Sequence, residues 1–349
     1  MEKFKTRMGD GEICHMTAQE IRDDIADGVE FASKKAKIDP LTKEEQDRIF
    51  EIITAPGNLI SVDVEKTVVS TTDCGAAPFS REAAIPIKRS VEALIHERAF
   101  CSDSYDLGFT EYTYKAVKPI LRYEAQEMRN AQSQNVMPIL YGAMPNMGFY
   151  TQPDGMFENW SELLPAGEID RAIAAQEGAV ENCVKDILQV AGEMAAAGAD
   201  GINLDTCGAS GDADFYAGLR ATEEISKRWP ELGIMFGAAG EFVLGMHGKL
   251  EYDGKRIAGS WTHVQGEMAQ KAGASIFGPA MNTNCNESFA WNISRVTNWV
   301  KKTSESIDIP IHVNCGMGVG GVCMAEMLPV DIVCRADMCL IEIGRTDGL

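Results

Sequence analysis

The chain has 349 residues, 45% of them hydrophobic, with 32 basic against 52 acidic side chains for a net charge of −20. That is enough apolar material for one large or two ordinary domains, and the charge argues against a nucleic-acid or anionic-membrane surface while permitting cationic ligands. No apolar leader core follows Met1-Glu-Lys-Phe-Lys, no apolar run nears the ~20 residues of a membrane span, and ten cysteines without a C-x-x-C pair fit the reduced thiols of a cytoplasmic protein.

Residues 1–115 read as an N-terminal α+β extension of helices and a hairpin. Gly9-Asp10-Gly11 is a turn, and Thr17-Ala-Gln-Glu20 and Thr42-Lys-Glu-Glu45 have the capping-box spacing that opens two amphipathic helices. Ala55-Pro56-Gly57 closes the second. β-Branched runs at 59–63 and 67–71 suggest a small hairpin, and a helix follows over 91–98. His96 and Glu97 on it are adjacent and so do not face one another.

From residue 116 to 349 helix and strand alternate. Helices over 124–134, 168–197, 212–228, 263–272 and 291–306 lead to strands over 136–141, 202–206, 234–241, 275–279 and 309–314, with a sixth strand at 339–343. Ala-Gly-Ala recurs at 197–199 and 272–274, where glycine ends a helix before a strand. The rhythm is that of an α/β fold, and its size favours a (β/α)8 TIM barrel. Six strands do not close such a barrel, so either two lie before residue 116 or the C-terminal part of the barrel is missing from the chain. The strand ending at Asp347-Gly348-Leu349 has no helix after it to cover its outer face.

Alternation puts Asn203 and Asp205 opposite Ile202 and Leu204, and His312 and Asn314 opposite Ile311 and Val313. Glu241, Asn282, Asn284 and Glu342 fall at or near the ends of their strands. In a barrel these converge on a polar, carboxylate-rich mouth. For Asn282 and Asn284 the alternative is capping of the next helix. The turn 316–321 (Gly316, Gly318, Gly320, Gly321) matches G-x-G-x-x-G after a strand. It fits either a dinucleotide fingerprint or a backbone turn that lets a large ligand come close. Pro329 and the few residues after Glu342 count against the first.

Several stretches together resemble the dimethylamine methyltransferases: Tyr141-Gly-Ala-Met-Pro-Asn-Met-Gly148, Gly240-Glu-Phe-Val-Leu-Gly-Met-His-Gly248, Asn282-Thr-Asn284 and the run from His312 to Gly321. So do Arg7-Met-Gly-Asp-Gly11, His96-Glu-Arg-Ala-Phe100 and Pro153-Asp-Gly-Met-Phe-Glu-Asn159. The resemblance spans the chain and implies a (β/α)8 barrel that moves a methyl group from dimethylamine to the cobalt of a separate corrinoid protein. It implies Asp205 and Glu241 as the catalytic carboxylates, Tyr141, Asn203, Asn282, His312, Asn314 and Glu342 around the amine, and the turn 316–321 as the place of corrinoid approach. No metal or cofactor is expected on the chain itself; the corrinoid belongs to the partner, and self-association is compatible. The family carries pyrrolysine, encoded by an in-frame UAG codon, in a segment resembling Asp347-Gly348-Leu349. The expectation is therefore a chain cut at its amber codon and inactive as written. Two other readings stay open: an NAD-dependent oxidoreductase using the glycine turn, and a non-catalytic fragment that binds the corrinoid protein.

Overall fold

The computed structural model describes residues 2–57, 69, 71–73, 88–99, 102–106, 120, 122–325 and 328–349. In chain order the elements are β1 (Lys3–Arg7), β2 (Ile13–Thr17), α1 (Ala18–Ala36), α2 (Lys43–Thr54), β3 (Thr71–Asp73), α3 (Arg89–Ala99), β4 (Ser104–Asp106), α4 (Arg122–Gln134) and β5 (Ile139–Ala143). Then come α5 (Trp160–Leu163), α6 (Ile169–Ala197), β6 (Gly201–Cys207), α7 (Asp212–Arg228), β7 (Gly233–Ala238), β8 (Glu251–Tyr252), β9 (Lys255–Arg256), α8 (Thr262–Ala272), β10 (Ile276–Gly278), α9 (Phe289–Ser304) and α10 (Val330–Cys339). The hairpin expected over 59–63 and 67–71 lies outside the described residues, apart from 69 and 71.

Contacts divide the chain into two compact units. One is Met1–Val68, Trp261–Glu267 and Gly278–Leu349; the other is Val69–Ser260 and Met268–Phe277.

In the first unit, β1 and β2 pair antiparallel around the Gly9-Asp10-Gly11 turn. Both capping boxes form: Thr17 accepts the Glu20 N–H and Thr42 that of Glu45, while each glutamate reaches back to the cap backbone. Each satisfies donors that a helix start otherwise leaves open. Helix α1 lies against α9 at Gly28, where an added Cβ would stand 2.4 Å from the Trp291 carbonyl oxygen and from Ser294 Oγ. Phe31 packs on Trp291 and Trp299 with ring centroids 5.1 and 6.4 Å apart. Trp291 Nε1 donates to Asp27 at 2.8 Å, so the indole buries its face and still pairs its polar end.

The second unit is built on an open, curled parallel sheet, ordered β10-β7-β6-β5-β4-β3. It is a half-barrel with flanking helices and not the closed eight-stranded barrel expected. Two of its strands, β3 and β4, come from before residue 107 and pair in parallel with one another. They are three residues each, too short for alternation to show.

The expected last strand at 339–343 is helical. Cys339 ends α10 and Leu340–Gly344 continue it as a wider π-turn, closed by Arg345 in the left-handed region with φ 58°. Ile332, Ala336, Cys339, Leu340 and Ile343 are buried, together with Arg335 and Gly344, a helical spacing that short alternation cannot be told from. Among the described residues the expected strand 309–314 keeps only bridge positions at Ile311 and His312, His312 pairing in parallel with Gly348. With one candidate helical and the other a bridge, the count needed for closure is not met among the described residues.

Candidate active site

Strand register decides which side chains share a face. Tyr141, Ile202 and Ile234 are aligned, as are Gly142, Asn203 and Met235, then Ala143, Leu204 and Phe236. With a period of two, one face therefore carries Gly142, Asn203, Met235 and Gly237. The other carries Tyr141, Ile202, Leu204, Ile234 and Phe236, all buried. Phe215 of α7 meets Phe236 edge-on at 5.2 Å, so that face belongs to the helices. Tyr141 goes with it, and its hydroxyl donates to Glu124 of α4 at 2.9 Å in a buried pair. Asp205 lies within a register irregularity between Leu204 and Cys207, and its Oδ1 sits on the Gly237 side with Asn203, while Tyr141 is on the opposite side of the sheet.

Asp205 stands near the C-terminal end of β6, and its Oδ1 accepts the N–H of Thr206 at 2.8 Å. Thr206 has φ 56°. For a β-branched residue that left-handed conformation costs on the order of 1–3 kcal/mol and needs the surroundings to hold it. Gly237 on the neighbouring strand leaves the carboxylate's flank open, since a Cβ there would lie 3.2 Å from Asp205 Oδ1. Glu241, expected inside a strand, lies past the end of β7 at Ala238, in a bend and half-buried.

The loop after β6 is held from below by Asp214 of α7, a fully buried carboxylate. Its Oδ2 accepts the N–H groups of Gly208 at 2.8 Å and Ser210 at 3.5 Å. Burial pushes its pKa up to about 7, against the downward pull of the Gly208, Ser210, Met147 and Ala209 N–H groups. Oδ1 has no hydrogen-bond partner among the described residues. Its buried neighbours Cys207 and Cys183 are pushed well above the usual thiol range, first by burial and then by this carboxylate. Asp212, two residues earlier, uses both oxygens on the loop after β7, accepting from the His247 N–H at 2.9 Å and the Gly248 N–H at 2.7 Å. Sequence reasoning passed over Asp212, Asp214 and His247. Aspartates in the first turn of a helix look like ordinary partners of its dipole.

In the first unit, Asn282 bridges Val319, and the Gly320 N–H donates to the Met281 carbonyl at 3.0 Å. Gly318, Gly320 and Gly321 all have positive φ, between 69° and 80°. The turn runs against 281–283 and does not open a helix; the next one, α10, begins only after Pro329. A dinucleotide fingerprint needs the helix N-terminus directly behind its glycines, so that layout is not formed. Asn314 and Met317 on the turn and Met324 beyond it are exposed. Asn284 accepts its own loop's Asn286 N–H at 3.0 Å, and its backbone is held by Asn292. Burial holds the His312 imidazole below the usual histidine range. Glu342 lies on the π-turn, where Arg48 grips both its oxygens at 2.8 and 3.2 Å on a half-exposed surface.

Among the described residues no three His, Cys, Asp or Glu side chains gather as they would to hold a metal, and no helix is long and apolar enough to cross a membrane.

Residues 2–349 match the family model described as Dimethylamine methyltransferase (Dimeth_PyL). Among solved structures, the carboxyl transferase domain of Rhizobium etli pyruvate carboxylase aligns at 10% identity and a TM-score of 0.43, over 81% of this chain and 39% of that one. The Opitutaceae exo-β-1,4-mannosidase Op5Man5 aligns at 11% and 0.41, over 81% and 51%. A Coxiella burnetii dihydropteroate synthase aligns at 10% and 0.39, over 99% and 92%. This chain spans about two-fifths and half of the first two, and at such scores none of the three bears on fold or function.

Proposed function

The chain belongs to the dimethylamine methyltransferase family, and on that premise we propose that it passes a methyl group from dimethylamine to the cobalt of a cognate corrinoid protein. The single observation that supports the residue assignment is the Asn203–Asp205 face. It sets a carboxylate and an amide side by side near the C-terminal end of a parallel sheet, with a glycine beside the carboxylate and a strained residue after it.

In the reaction, reduced cobalt attacks one methyl carbon and the C–N bond breaks. The nitrogen keeps the bonding pair, and cobalt gives up two electrons to the new bond. An amine leaves as a neutral molecule only if it arrives as an ammonium ion or gains a proton on the way. Asp205 would hold the dimethylammonium N–H groups by charge-assisted hydrogen bonds, with Asn203 fixing the rotation of the ion. Glu241, on the loop after the next strand, would exchange the proton. Neither step needs a metal on this chain.

Met317 on the turn 316–321 and Met324 beyond it, 59% and 54% exposed, offer apolar surface that suits the approach of a bulky macrocycle, while the glycines of the turn are packed beneath. Pyrrolysine would supply the electrophilic ring that takes up the amine.

The test is methyl transfer from dimethylamine to the reduced corrinoid protein, using protein from the native host and following the visible spectrum of methyl-cobalt. Asp205→Asn is expected to lower kcat by about 100-fold or more with the fold intact. A native protein that forms no methyl-cobalt ends this reading.

A further inference from the structure

The hairpin of the first unit is a sheet of two strands, so β1 has β2 on one edge and no strand on the other among the described residues. The bond from the Met8 N–H to the Glu12 carbonyl at 2.9 Å fixes which groups face β2. By the register, Thr6 then bonds with Cys14 and Phe4 with Met16, while Lys3, Lys5 and Arg7 turn their N–H and carbonyl groups outward. The Thr17 N–H, opposite Lys3, is free of the ladder and goes to Glu20 at 2.7 Å, as this pattern requires. The outward groups of Lys3 and Lys5 have no hydrogen-bond partner among the described residues.

A cavity of about 490 Å³ lies beside them, lined by residues 2–6, by 53–57 at the end of α2, and by Asp331, Ile332 and Arg335 of α10. Phe4, on one face of β1, meets Phe50 of α2 with ring centroids 6.2 Å apart. Arg7, on the other face, meets Asp331 of α10 at 3.3 Å. The two helices thus flank the strand from its two faces, and the space between them lies in the plane of the hairpin, off its free edge. Arg335 forms the far wall by donating to the Ala55 and Gly57 carbonyls, both at 2.9 Å.

Size and charge define what fits. A strand in a sheet takes about 4.8 Å by about 10 Å across its axis and about 3.4 Å per residue along it, roughly 160 Å³, so the space accepts about three residues of extended chain. On such a strand the side chains opposite Lys3 and Lys5 meet two exposed ammonium groups, and the one between them falls on the face of Phe4. Asp331 is already paired with Arg7, so on a chain of net charge −20 this rim carries Lys3 and Lys5 against Glu2. Edge lysines guard against pairing with a second copy, since laying β1 on its own two-fold image would set Lys3 against Lys5. The same lysines attract an acidic strand.

We propose that the free edge of β1 is a docking site for an extended acidic–apolar–acidic segment of a partner protein, added as a third, antiparallel strand. Its two acidic residues exchange backbone hydrogen bonds with Lys3 and Lys5 and pair with their ammonium groups, and its apolar residue packs beside Phe4. The site does not rest on the methyl-transfer reading.

The probe is fluorescein-labelled Ser-Glu-Val-Glu-Ser-amide, titrated with the full chain and followed by anisotropy at constant ionic strength. The controls are the same peptide with Lys in place of Glu, and the same peptide N-methylated at both Glu residues. Saturable binding with a Kd below about 1 mM is expected for the acidic peptide, and binding at least about tenfold weaker for both controls. Lys5→Pro removes an outward N–H that β2 does not use, so the hairpin keeps its bonds while affinity should fall about tenfold or more. If that variant unfolds, the double change Lys3→Glu with Lys5→Glu carries the test: it should reject the acidic peptide and bind the lysine peptide instead. Absence of saturable binding, equal binding of either control, or unchanged affinity in a folded variant overturns the proposal. So does self-association of the chain that Lys5→Pro abolishes, because the occupant is then a second copy.

Discussion

Replacing Asp214 by asparagine should reverse sign in its effect on stability as pH changes. Burial raises this carboxyl to about 7 in the folded protein. An unfolded aspartate titrates near ~3.9, so the shift is roughly 3 units, worth roughly 4 kcal/mol at 1.36 kcal/mol per unit. The folded form binds the proton more tightly than the unfolded one. Its contribution is therefore fully present below about pH 4, declines as pH rises, and is gone above about pH 7. Asparagine keeps an acceptor for the Gly208 and Ser210 N–H groups and puts an amide where Oδ1 has no partner, but it cannot titrate. Urea unfolding of both proteins at about pH 5.5 and 8.5 gives the readout as a difference of differences, cancelling all other groups. Wild type should lose roughly 2 kcal/mol relative to Asp214→Asn between those two values. The variant should be the more stable at the higher one. A difference that stays constant within about 0.5 kcal/mol across the window would refute the reasoning, since Asp214 would then not be titrating there.

Three further outcomes follow from the same packing. Gly28→Ala forces a Cβ into the Trp291 carbonyl and Ser294 Oγ, each 2.4 Å away, so α1 and α9 must separate. We expect about 2–3 kcal/mol of destabilisation by thermal melting, and an unchanged melting temperature would show that the helices are not in close contact. Gly237→Ala crowds Asp205 Oδ1 from 3.2 Å; kcat should fall about tenfold while stability changes by about 1 kcal/mol, and an unaltered kcat would mean that the position of this carboxylate does not matter. Glu342→Gln loosens a half-exposed ion pair with Arg48. It should cost under about 1 kcal/mol and leave methyl transfer intact; a large loss of kcat with the fold preserved would return Glu342 to the site.

Much of the local structure was legible because its causes are local. Thr17 with Glu20 and Thr42 with Glu45 begin helices through bonds spanning three residues, and Gly198 with φ 88° ends α6 where no side chain sits comfortably. The period of two sets the face of Asn203 on β6, but Asp205 falls in a register irregularity between Leu204 and Cys207, and only the nearness of Gly237 to its Oδ1 puts it on the same side. Tyr141 was not legible in the same way. It had to be aligned against Ile202 before its face was known, and that alignment is a property of two strands about 60 residues apart in the chain.

The sequence alone determined the helix starts, the α/β rhythm, the face of Asn203 on β6 and the family. Only the tertiary structure decided that 340–344 turns as a helix, that two three-residue segments before residue 107 complete the sheet as strands, and that Asp212, Asp214 and His247 brace the loops after β6 and β7. Periodicity over five residues fits helix and strand alike, and a three-residue strand exists only through its neighbours' hydrogen bonds. A carboxylate's protonation is set by which groups from distant segments exclude water around it.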